Sequence, residues 1–137
     1  MALIHRARHR RRGTTIIEAA IVLPLLILVI FGLIEYGNLL LRLQQIENVT
    51  RQAARKAATP DATQAQVTSQ ITTMMTAAGL GSSGYTVTMS DPATFERGDQ
   101  FSVNITITYA NIAITKVPLI PVPTTVARTV VMAKEGP

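Results

Sequence analysis

The sequence predicts an α+β protein: a long N-terminal transmembrane helix that continues into a small outer domain, made of an amphipathic helix and an antiparallel sheet of about three strands. Three observations carry this reading. Residues 13–34, GTTIIEAAIVLPLLILVIFGLI, form an apolar run interrupted only by Glu18 and Pro24. Apolar residues then recur at helical spacing, first over 39–57 and again over 67–78. From Tyr85 onward the period changes to two.

The apolar run has 22 residues, and at about 1.5 Å per residue it makes a helix of roughly 33 Å, enough to cross a hydrocarbon core of about 30 Å. No other stretch is long and apolar enough to do so. Arg6, Arg8, Arg10, Arg11 and Arg12 precede it, so the positive-inside bias places the N-terminus in the cytoplasm and residues beyond about 36 across the membrane. Glu35 and Tyr36 then mark the outer interface, an aromatic anchor beside a solvated acid. Pro24 removes one backbone hydrogen bond, and a kink is expected near residues 20–24; it is either simply tolerated or a bend that eases extraction or packing.

The chain divides into a basic leader (1–13), the transmembrane helix (14–36), its extension (37–58) and an outer α+β domain (59–137). In the extension, Leu39, Leu43, Ile46, Val49, Ala53 and Ala57 keep one helical face, while Arg51, Arg55 and Lys56 gather at the end that the helix dipole makes negative. That stripe must pack on its own outer domain or on another subunit. Thr59-Pro60 resembles a cap followed by a first-turn proline and starts the second helix, with Val67, Ile71, Met74, Met75 and Ala78 on its buried side and Gly79 ending it. Tyr85, Val87 and Met89 alternate with polar residues, as do Phe101, Val103, Ile105, Ile107 and Tyr109. Pro118, Pro121 and Pro123 exclude a central strand over 110–123, which reads as a surface connection, and residues 124–133 form the last strand.

The net charge of +5 is a property of the leader alone: from Gly13 onward eight Lys and Arg balance eight Asp and Glu. A basic nucleic-acid-binding face is therefore not expected. The chain has no cysteine, and both histidines, His5 and His9, lie in the leader, so no thiolate, disulfide or folded histidine is available for catalysis or metal ligation. Asp61, Asp91, Glu96, Asp99 and Glu135 are scattered acids without a partner base, and Asp91, Glu96 and Asp99 read as a solvated loop, not a calcium site. No catalytic residue, metal or cofactor is expected; the chain is a substrate of an enzyme, not an enzyme. Nor does the apolar run end in a small-residue cleavage site of the secretory type.

Glu18 is the anomaly. A carboxylate in lipid costs on the order of 3 kcal/mol unless protonated or paired. Its spacing alone leaves two readings: a role in processing or assembly, or a side chain that reaches interfacial water near its own N-terminus.

The order Arg12-Gly13-Thr14-Thr15-Ile16-Ile17-Glu18 resembles the prepilin-peptidase site of type IV pilin-like proteins. The fuller pattern, RRG, then EAA, the proline and Phe31-Gly32-Leu33-Ile34-Glu35-Tyr36-Gly37, is most similar to the TadE-like proteins, minor pseudopilins of the tight-adherence (Tad/Flp) pilus system. The resemblance implies cleavage after Gly13, a mature chain that begins at Thr14, and a glutamate, Glu18, at its fifth position that meets the amino terminus of a neighbouring subunit. It implies as partners the prepilin peptidase, other pilins or pseudopilins, an assembly platform in the bacterial inner membrane, and membrane lipid. Flp-type major pilins are much shorter and carry a Glu-Tyr pair where this chain has Glu18-Ala19, and TadG-like relatives have a far larger outer region. The alternative is a permanently anchored single-pass envelope protein whose outer domain binds a partner.

Overall fold

The computed structural model describes residues 11–116 and 118–135, with side chains from Thr15 onward; residues 1–10, most of the basic leader, lie outside it. One helix, α1 (Arg11–Ala58), contains both the membrane segment and its extension without interruption. It runs through Pro24, whose missing N–H leaves the Ala20 carbonyl without its helical donor.

The two halves of α1 meet different surroundings. From Ile16 to Ile34 the large apolar side chains stand exposed, apart from the half-buried Leu28, with Ile16, Ile21 and Leu33 at 70% each. From Glu35 onward one face is covered: Glu35, Asn38, Leu39, Ile46, Val49, Thr50, Ala53, Ala54, Ala57 and Ala58 are buried. The apolar stripe of the extension thus packs on its own outer domain, with Leu43 partly buried at its edge. Alanines at its distal end let the sheet and the second helix approach the backbone closely.

The second helix, α2 (Gln64–Ala77), starts four residues later than the Thr59-Pro60 signal predicted. Thr63 is its cap: the Thr63 hydroxyl accepts from the Gln66 amide while the Gln66 side chain accepts from the Thr63 amide, a reciprocal capping box. Thr59 instead closes α1, its amide and hydroxyl both donating to the Lys56 carbonyl. Pro60 follows a helix end here, where proline is also common, so one dipeptide fitted two opposite signals. At the far end of α2, Gly79 takes φ +69°. The Gly79 amide donates to Thr76 and that of Leu80 to Met75, the Schellman pattern that a left-handed residue permits. Leu80 and Met75 pack together in the core. Arg42 of α1 donates to the Ala78 carbonyl at this end, 3.2 Å, and ties the two helices.

The sheet is antiparallel in the order β1 (Thr86–Met89), β2 (Gln100–Thr108), β3 (Thr125–Ala133). Phe101, Val103, Ile105 and Ile107 face the helices, while Ser102 and Thr108 are exposed. Across the strands Val87 pairs with Ile105 and Val103 with Val130, so the inner face is continuous. The end of β3 docks on the end of α1. The Glu135 amide donates to the Ala58 carbonyl, and the buried Lys134 ammonium donates to the carbonyls of Ala57 and Thr59 at 3.2 and 2.8 Å. A cation is favourable at that helix terminus. β2 therefore runs from the distal end of the domain towards the membrane segment, and the connection 109–124 lies at the membrane-facing end.

Candidate functional site

Two groups of residues stand out, both on α1. The first is the bare apolar half-helix with Glu18 and Pro24. The Gly13–Thr14 peptide falls in the first turn of the helix. Glu18, one turn further, is exposed and has no hydrogen bond or ion pair to another described residue. Nothing in the outer domain covers this half, so its apolar surface requires lipid or other protein.

The second group occupies the turn where the helix enters its own domain. Glu35, expected to be a solvated acid, is 2% exposed. Its carboxylate accepts from the Tyr109 hydroxyl, the Thr115 amide (2.7 Å), the Thr115 hydroxyl (2.6 Å) and the Ile114 amide (3.3 Å). Four neutral donors replace the water that a lone acid at this position would need. Tyr36, partly exposed, donates to the Pro121 carbonyl, and Asn38 donates to that of Ile112 at 2.9 Å. Within one helical turn, three polar side chains grip both legs of the 109–124 connection. Tyr109, predicted to continue β2, leaves the strand to open a short 3₁₀ turn, Tyr109–Asn111, and its hydroxyl points back at Glu35.

Sequence reasoning missed this clamp because its two halves lie 74 to 85 residues apart. The available signal was Glu35, Tyr36 and Asn38 clustered at the end of an apolar run, which an aromatic belt explains equally well.

Tyr109 is held neutral. Burial, and then the Glu35 carboxylate that accepts its hydrogen bond, push its pKa from 10.0 up to about 12. A pKa raised on folding gives stability that is whole below pH 10 and lost as the pH climbs through 12. Unfolding in micelles should therefore show a loss of about 2–3 kcal/mol between those pH values in the native chain, a step that Tyr109→Phe, although less stable at neutral pH, lacks.

The family model described as TadE-like protein matches residues 13–55. Over that segment the chain is similar to the TadE-like proteins. The match agrees with the resemblance to Tad/Flp pseudopilins carried by Gly13, Glu18 and the FGLIEYG segment. No curated protein and no solved structure matches the chain. The TadE-like segment contains Glu18, Pro24 and the helical half of the clamp; the receiving connection, 109–124, lies beyond it. Among the described residues no three His, Cys, Asp or Glu side chains come together as a metal site, and the buried ionisable groups, Glu35, Tyr109 and Lys134, are engaged in joining elements of the fold.

Proposed function

We propose that this chain is a minor pseudopilin needed for assembly of a Tad/Flp adhesion pilus, inserted in the bacterial inner membrane with its N-terminus in the cytoplasm and its outer domain outside. On this reading prepilin peptidase cuts after Gly13. The glycine weakens the helix by roughly 1 kcal/mol relative to alanine, which eases the unwinding that a protease needs at the Gly13–Thr14 bond. Cleavage removes every leader arginine and leaves an ammonium on Thr14. An ammonium from a neighbouring subunit then offsets the cost of Glu18 in an apolar environment.

The observation that carries this reading is the exposed apolar half of α1, from Ile16 to Ile34, with one acid placed five residues after a glycine. It is a surface built to exchange lipid for other helices.

The chain has no native cysteine, so Val22→Cys and Val29→Cys, both at exposed positions, give clean crosslinking probes. In assembling cells they should form disulfides with cysteines placed on the membrane helix of another pilin or pseudopilin of the system. A permanently anchored envelope protein would give no such adducts from either position.

A further inference from the structure

The connection between β2 and β3 follows α1 towards the membrane. The Ile112 carbonyl meets Asn38, the Ile114 and Thr115 amides meet Glu35 one turn closer to the membrane segment, and the Pro121 carbonyl meets Tyr36 on the way back. The turn between these contacts, at residues 118–120, therefore sits at the level where α1 leaves its apolar half. Leu119 there is 73% exposed, flanked by Ile114 at 60% and Val122 at 40%. Among the described residues, Val131 is the one other large apolar side chain of the outer domain so exposed. The two legs enclose an open apolar cavity of about 550 Å³ lined by Ala113, Pro118, Ile120 and Pro123, among others.

Charge is distributed to match. Residues 109–124 contain no acid and one cation, Lys116, held by a left-handed backbone (φ 48°) and exposed. Asp61, Asp91, Glu96, Asp99 and Glu135 all belong to the distal end, where α1 closes at Ala58 and the Gly98 amide meets Lys134. That end is roughly 35 Å along the helix from Glu35.

We propose that residues 113–116 and 118–123 form a foot that rests in the lipid headgroup region of the membrane that α1 crosses, with Leu119, Ile114 and Val122 inserted and Lys116 beside the phosphates. Aliphatic side chains at that depth gain burial, and a lysine reaches headgroup anions along its own apolar stem. The foot and the helix together hold the outer domain at a fixed tilt, because the Glu35 clamp joins them rigidly. This pose concerns the membrane-inserted chain and does not depend on removal of the leader.

The test uses the full chain in dilute proteoliposomes of phosphatidylethanolamine and phosphatidylglycerol, with a nitroxide on Leu119→Cys, on Val122→Cys, or on Thr94→Cys at the distal end. Collisions with a water-soluble nickel chelate should fall about fivefold at positions 119 and 122 relative to 94, while collisions with oxygen rise, as for a side chain in the interface. Equal nickel collisions at all three positions would overturn the proposal. So would shielding from both reagents at 119, which would mean that protein, such as a second copy of this chain, covers the loop.

Discussion

Replacing Glu35 by alanine should destabilise the outer domain by about 3–5 kcal/mol, because two or three buried donors lose their acceptor at about 1–3 kcal/mol each. Tyr109 is 1% exposed, so its hydroxyl cannot turn to water and keeps only the 3.3 Å contact to the Glu35 backbone carbonyl, and the backbone amides of Thr115 and Ile114 cannot rotate away. Against a total of about 5–15 kcal/mol for a small domain, that loss is severe. Glutamine is the informative comparison. Its carbonyl can still accept from the Thr115 amide and hydroxyl, and its amino group can donate to the Tyr109 hydroxyl, which is able to accept; only the Ile114 contact is turned into a clash of donors. Glu35→Gln should cost about 1–2 kcal/mol. Hydrogen exchange of the full chain in micelles reads both: the Thr115 amide should exchange fastest in the alanine variant, at an intermediate rate in the glutamine variant, and slowest in the native chain. Equal protection in all three would mean that the clamp does not hold the connection to the helix.

Glu18→Gln is expected to separate processing from assembly. The amide keeps the shape of the side chain and removes its charge, so the variant should insert into the membrane more easily, by up to about 3 kcal/mol on insertion scales. If Glu18 serves a neighbour's ammonium, the same change removes the attraction that brings the subunits into register. With buried partners worth several kcal/mol and each 1.4 kcal/mol equal to a factor of ten, incorporation should fall at least about tenfold. A side chain that merely reaches interfacial water predicts no change. Counting fibres per cell and crosslinked pilin adducts in the Glu18→Gln strain, alongside the electrophoretic mobility of the chain, distinguishes a loss of assembly from a loss of cleavage.

What was legible in the sequence follows from what is local. The buried stripe through Leu39, Ile46, Val49 and Ala53, and the alternation of Phe101 to Ile107, each repeat with the period of one element, so a short window reveals them. The start of α2 was harder because Thr59-Pro60 and Thr63 both carry cap chemistry, and only the hydrogen bonds decide that the first ends one helix while the second begins another. Glu35 is buried where the sequence predicts a solvated acid. Its donors come from a proline-rich connection with no period of its own, which reads as a passive surface loop until Tyr109, Ile112, Thr115 and Pro121 are seen folded against the helix. The exposed half of α1 has a simpler lesson. Its composition announced a membrane segment, and the fold leaves it uncovered from Ile16 to Ile34.

The central claim is that this helix enters its working state only after losing its basic head, and the mass of the chain purified from membranes of assembling cells tests it most directly. The account predicts an N-terminus at Thr14 in cells with prepilin peptidase and at the start of the leader in cells without it. An intact leader in both would contradict it.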